Sequence, residues 1–333
     1  MAGRRVFVSG VGGELGTLVA NLLEDEPWVG SLSGIDADPP RRRLQRTTFH
    51  RISPDDHDTI VDTVTKFNPH VLVHVGVWEP DARAAPRVAA ALTDQAAVSV
   101  LGAAAECRAL DSIIVRSGIE IYGRGPGSLT RPDEDAPLRP TSEWGRTVAD
   151  IERTAANVAE RVGVTVGAVR LASVLGPHVP SPLGRLLRQP VVPFHATSDP
   201  PFAVIEHRDA ARAIVAAARN QLSSPVNVVA PGAITCLHAI RRGQRIPLPL
   251  FGPQWWFARQ LSHITGAPIP DHVSEALTRG RLADNGRMQA LLGMTPDTST
   301  TEVIDHLYRW PRVIRKQARV HAAEQITPDE VSA

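Results

Sequence analysis

The sequence predicts an α/β fold, a doubly wound parallel sheet with a smaller C-terminal lobe. Three observations carry this. Short apolar strand patterns alternate with helical periodicities through the first half of the chain. One of them, Val71-Leu72-Val73-His74-Val75, is apolar nearly throughout, as a strand covered on both sheet faces should be. And the first strand runs directly into a glycine turn that opens a helix.

The elements follow in order. Val6-Phe7-Val8-Ser9 is the first strand, and Leu15, Leu18, Val19, Leu22 and Leu23 give the next segment a helical face. Ser31 to Asp36 is a second strand ending in a carboxylate. Phe49 to Ile52 is a third, and Asp55 to Phe67 a helix with Ile60, Val61 and Val64 on one side. After the strand at 71–75, Arg87 to Ala105 is a long helix of small residues. Ser112 to Arg116 is a strand leading to Ser117-Gly118, Ser142 to Arg161 a helix, and Thr165 to Leu171 a strand. The β-α-β alternation implies parallel strands joined by right-handed crossovers.

Beyond Gly176 the pattern changes. Pro177, Pro180, Pro182, Pro190, Pro193, Pro200 and Pro201 exclude long helices. His207 to Gln221 reads as a helix and Pro225 to Val229 as a strand, so the chain is expected to return to the sheet there. Residues 1–176, with 203–230 returning, are expected to form the nucleotide-binding domain. Residues 177–202 and 231–321 are expected to form a smaller second lobe, mainly helical and irregular from Gly232 onward, and 322–333 a polar frayed tail.

Composition narrows the class. The chain has 333 residues, 43% of them hydrophobic, enough for a sizeable core. A net charge of +1 gives no electrostatic reason to expect nucleic acid. Cys107 and Cys236 form neither a metal spacing nor a disulfide framework. Neither a signal-peptide core nor an uninterrupted apolar run of spanning length is read, so a cytoplasmic protein without a membrane span is the expectation.

The glycine turn says where a phosphate would sit. Gly10, Gly13 and Gly16 are spaced G-x-x-G-x-x-G, with Glu14 and Leu15 between the last two. Glycine lets the chain turn sharply and lets backbone approach a pyrophosphate, which the helix N-terminus then attracts. Gly12 adds further freedom. Asp36, at the next strand end, would accept hydrogen bonds from the adenosine ribose and repel a 2′-phosphate, which argues for NAD over NADP. Arg41, Arg42 and Arg43 follow; they read as a solvated basic loop, the alternative being partners for a 2′-phosphate.

With these segments in view, the chain resembles the extended short-chain dehydrogenase/reductase family, in its NAD-dependent epimerase/dehydratase group, over residues 4 to 310. The glycine loop matches, and His70 to Gly76 resembles the strand that passes the cofactor. Ser117-Gly118-Ile119-Glu120-Ile121-Tyr122-Gly123 resembles the serine-rich strand end before a Tyr-Gly pair. Val169 to Pro177, Glu206 to Ala211 and Leu291 to Pro296 resemble the substrate loop, the segment re-entering the core and the C-terminal signature. The resemblance implies a Rossmann-type domain, NAD contacted by Gly10, Gly13, Glu14, Leu15, Gly16, Asp36, Val75, Gly76 and Ser117, a nucleotide-sugar substrate, and a homodimer paired through two long helices.

The implied catalytic residues are missing. The family places a Tyr-x-x-x-Lys pair on one face of the helix after the serine strand, where the ammonium lowers the phenol pKa. In Pro140-Thr141-Ser142-Glu143-Trp144-Gly145-Arg146-Thr147-Val148, Trp144 takes the tyrosine position and Val148 the lysine position. The only tyrosines, Tyr122 and Tyr308, are followed four positions later by Pro126 and Arg312, and the only lysines are Lys66 and Lys316. Gly118 stands where a catalytic serine or threonine is expected. An indole and a valine cannot exchange a proton usefully.

Weak substitutes exist. Glu120 could act as a general base, against a satisfied or solvated carboxylate; His178, in the substrate loop, could bind phosphate or shuttle a proton. His207 reads as a structural hydrogen-bonding residue, His74 as a satisfied core histidine, and Glu143 and Arg146 as surface charges. Trp255-Trp256-Phe257 reads as lobe core, the alternative being a partner or membrane patch, and the basic run from Arg309 to Arg319 as a solvated helix face. Two function classes follow: a nucleotide-binding protein whose catalysis is non-standard or lost, or an epimerase or reductase with a substitute acid/base.

Overall fold

The computed structural model describes residues 3–80, 85–251 and 269–310. The Trp255-Trp256-Phe257 cluster, the basic run past residue 310 and the C-terminal tail lie outside them.

The core of the fold is a seven-stranded sheet. Its strands are β1 (Arg4–Ser9), β2 (Val29–Asp36), β3 (Thr47–Arg51), β4 (Val71–His74), β5 (Ser112–Gly118), β6 (Thr165–Leu171) and β10 (Val226–Val228). They lie in the order β10-β6-β5-β4-β1-β2-β3, and every pair is parallel. From β1 the chain steps outward to β2 and β3, then returns to β4 on the other side of β1. That reversal opens a crevice beyond the carboxyl ends of β1 and β4.

Strand alternation sends Val6 and Val8 to one face and Phe7 to the other. The first face packs against α1 (Glu14–Glu24) and α6 (His207–Arg219), whose run of alanines permits close approach. The second packs against α2 (His57–Phe67), α3 (Pro86–Ala105) and α4 (Glu143–Val162) through Ile60, Val64, Val100, Leu101 and Ile151. Helix α2 begins at Asp56, whose carboxylate accepts from Thr59 N at 3.2 Å, and ends at Asn68 with φ 51°. Helix α4 begins at Ser142, whose Oγ accepts from Gly145 N at 3.1 Å, and ends at Gly163 with φ 72°. Helix α3 is long and apolar enough to cross a membrane, but half of it is buried, packed between α2 and α4.

After β6 come β7 (Ser173–Leu175), α5 (Pro182–Leu187), β8 (Val191–His195) and β9 (Val204–Glu206); α7 (Cys236–Arg242) and β11 (Ile246–Leu250) follow β10. The chain closes with α8 (Asp271–Arg279), α9 (Gly286–Leu292) and α10 (Thr300–Arg309). Leu183, Leu187, Ile240, Val273 and Ile304 join a separate apolar cluster. Two short parallel ribbons accompany these helices: β8 pairs with β11, and β7 with β9. Pro193, Pro247 and Pro249 fit because a two-stranded ribbon leaves each strand one free edge, where a missing N–H breaks no ladder.

Candidate functional site

The crevice holds a cavity of about 750 Å³. Glycine shapes its floor. Gly10 has φ +87°, and a β-carbon there would lie 2.4 Å from Gly76 N; one on Gly16 would lie 1.8 Å from the Gly10 carbonyl oxygen. The ends of β1 and β4 and the start of α1 therefore touch through bare backbone. Gly12 is equally constrained, since its β-carbon would meet the Asp38 carbonyl at 2.2 Å. Gly13 differs: the nearest atom to its β-carbon is 3.7 Å away, in a residue lining the cavity. It is also the N-cap of α1 and offers no side chain to the first-turn N–H groups, which are left for a ligand or water.

Asp36 closes this end. Its Oδ2 accepts from Gly12 N at 2.9 Å and its Oδ1 from Asp38 N at 3.0 Å. Burial pushes its carboxyl up, and these backbone N–H groups oppose the rise. Leu15, Val75 and Gly76 also line the cavity, as does Glu14, whose buried carboxylate pairs with Arg42 at 3.1 Å. Arg41 lies 3.8 Å from Asp38. Ser117 is buried, and its Oγ has no partner among the described residues.

The far end of the cavity has a different character. Trp78, Glu79 and Arg116 line it, and His178 lines the cavity as well. Glu79 is backed by His272 from α8, whose Nε2 lies 3.0 Å from Glu79 Oε1 and whose Nδ1 lies 3.7 Å from Asp271 Oδ1. Burial would push this imidazole down, but the two carboxylates pull it up to about 9. It is therefore an imidazolium at neutral pH. The ring of Trp144 packs against it, 5.9 Å between centroids.

A family model, the NAD dependent epimerase/dehydratase family, matches residues 6–229. The chain belongs to the NAD-dependent epimerase/dehydratase family. It is 28% identical over 321 residues to uncharacterized proteins of Mycobacterium tuberculosis and Mycobacterium bovis, covering 91% of this chain and 83% of each of those. Among solved structures it is similar to a UDP-glucuronic acid 4-epimerase from Bacillus cereus in complex with NAD, with TM-score 0.69 at 17% identity, covering 92% of this chain and 98% of that one. It is similar also to a UDP-glucose 4-epimerase from Brucella ovis in complex with NAD, with TM-score 0.71 at 18% identity, covering 92% and 97%.

At the positions where this epimerase/dehydratase family resemblance implies a tyrosine and a lysine, Trp144 is 6% exposed and Val148 1%. Both belong to the apolar core. Glu120 is not solvated: it is buried, with Oε1 3.8 Å from Nε of Arg281, which also pairs with Glu275. Tyr122 is committed elsewhere. Its hydroxyl donates to Asn227 Oδ1 at 2.7 Å and accepts from Arg170 at 2.9 Å, while Arg170 grips Glu152 with two bonds of 2.9 and 2.8 Å. Tyr308 donates to the Ala239 carbonyl.

Two histidine expectations need correction. His74 bonds Ser9 Oγ through Nδ1 at 2.6 Å, but its buried Nε2 has no partner among the described residues; burial pushes it down to about 4, so it is neutral. His207 is held by packing: its Nδ1 makes no hydrogen bond among the described residues, and Glu206 Oε1 lies 3.9 Å from it. Its ring lies against Gly176 and meets Trp310 edge-on at 6.2 Å. Sequence reasoning missed Glu79, Arg116 and His272. A signal existed for one of them: Arg116 interrupts the apolar run Ile113-Ile114-Val115 just before a strand's carboxyl end.

Proposed function

We propose that the protein binds NAD in this cleft, in preference to NADP, with a nucleotide sugar as its second ligand, and that it does not use a tyrosine–lysine proton relay. The observation that carries the last point is the burial of Trp144 and Val148 in the core at the two relay positions. Neither Tyr122 nor Tyr308 takes over the tyrosine's part, since both hold structural bonds.

The cleft suits a dinucleotide. Gly13 leaves open space and uncapped N–H groups for a pyrophosphate, and Gly10 and Gly16 bring bare backbone close. Asp36, at the end of β2, would take the adenosine ribose, and Val75 and Gly76 would flank the cofactor where β4 ends. Bound NAD supplies a hydride acceptor; what this chain adds is position and a polar wall. The NAD-containing epimerase structures of the same fold support the choice of cofactor and of substrate class. A homodimer through α3 and α4, which pack side by side, belongs to the same proposal.

A second reading is favoured by one observation. Glu79 lines the cavity with the His272 imidazolium behind it, an acid/base pair that could stand in for the relay. Titration of protein fluorescence with NADH and NADPH tests the first reading, and an epimerase assay with UDP-glucose separates the two. Selective NADH binding without turnover is expected. Turnover at ordinary epimerase rates would overturn the loss of the relay, and failure to bind either cofactor would overturn the site.

A further inference from the structure

Arg116 lines the cavity and leaves most of its hydrogen-bonding capacity unused among the described residues. Its neighbours on β5, Ile113, Ile114 and Val115, are fully buried in the two cores, while the half-buried guanidinium lines the cleft. There it makes a single bond, Nη1 to the Val77 carbonyl at 3.4 Å, near the outer limit for a hydrogen bond, and no ion pair. Its five N–H donors form a planar fork built for an oxyanion. Around the cavity Glu14 pairs with Arg42, Asp36 accepts from backbone N–H groups and Glu79 pairs with His272, while the exposed Asp38 and Arg41 stand 3.8 Å apart. Glu120 turns to Arg281.

We infer that this end of the cleft binds the carboxylate of a sugar acid, gripped in bidentate fashion by Arg116, while Glu79 accepts a hydrogen bond from a neighbouring hydroxyl. The inference rests on the nucleotide-sugar reading above and adds the group that distinguishes the ligand. A carboxylate fits better than a phosphate. Arg116 faces Glu79 and Glu120, so a singly charged carboxylate beside a hydroxyl meets less repulsion there than a doubly charged phosphate does.

The test is calorimetric titration of the full chain, with and without NADH, against UDP-glucuronate and UDP-glucose. These probes differ only in the carboxylate. Wild type should prefer UDP-glucuronate by about ten- to a hundredfold, the range of a charge-assisted pair. Arg116→Met should erase the preference and Arg116→Lys keep part of it. Equal affinities in wild type, binding of neither sugar, or a preference that survives Arg116→Met would each overturn the inference. Loss of NADH binding alone would refute the cofactor reading instead. The wild-type comparison stands even if a variant fails to fold.

Discussion

Oε2 of Glu120 fills the space that a β-carbon on Gly118 would need, 2.5 Å from it. The two positions are therefore one unit: a serine at 118 and a buried glutamate at 120 in this rotamer exclude each other. To admit a side chain at 118 the Glu120 carboxylate must shift, with the buried Arg281 beside its other oxygen. Gly118→Ser should destabilise the fold by about 1–3 kcal/mol, as overpacking does. Paired with Glu120→Ala, the penalty should fall short of the sum of the singles by roughly 0.5–3 kcal/mol. Urea denaturation of the four proteins measures this coupling, and strict additivity would disprove it.

The glycine loop, the carboxylate closing β2 and the alternation of strands and helices were legible because spacing and periodicity are local properties. The polar far wall was not. Glu79 and His272 are 193 residues apart, and nothing near either one in sequence distinguishes a charge in a cleft from one on a surface. Gly12 was underestimated for the same reason: the Asp38 carbonyl that forbids a side chain there belongs to another loop. Strands β8 and β11 were obscured by prolines that a free ribbon edge tolerates.

Gly13 and Gly16 separate fold from site. Gly13→Ala meets no atom closer than 3.7 Å, so stability should change by no more than about 1 kcal/mol, the scale of an N-cap change. NADH affinity should nevertheless drop at least about tenfold, roughly 1.4 kcal/mol, because the methyl intrudes where the pyrophosphate would lie. Gly16→Ala should instead destabilise the whole protein, its β-carbon lying 1.8 Å from the Gly10 carbonyl oxygen. Fluorescence titration and urea midpoints on both variants provide the check. Unchanged NADH binding in a folded Gly13→Ala protein would place the cofactor elsewhere.

Rebuilding the relay should fail for a reason of packing. Val148 is 1% exposed among apolar neighbours, and a lysine there would carry its ammonium into the core. Trp144→Tyr with Val148→Lys should therefore lose at least about 2 kcal/mol of stability and gain no epimerase activity. A stable double variant that turns over UDP-glucose would show the site to be two substitutions from the orthodox mechanism.

His272 should make the protein less stable in mild alkali. Its imidazole stands at about 9 in the folded chain, against an ordinary value of 6.5, because Glu79, Asp271 and Glu120 outweigh its burial. Below pH 6.5 it is protonated in both the folded and unfolded chains, and its contribution is complete. Between 6.5 and 9 the unfolded chain gives up the proton while the folded chain keeps it, so stability declines. Above 9 the contribution is gone, a loss on the order of 3 kcal/mol. Urea midpoints from pH 6.5 to 9.5 should trace this decline in wild type. His272→Gln keeps a donor but cannot titrate, so its curve should start lower and stay nearly flat. An undiminished decline in His272→Gln would assign the pH dependence to other groups and leave the Glu79 carboxylate without its countercharge.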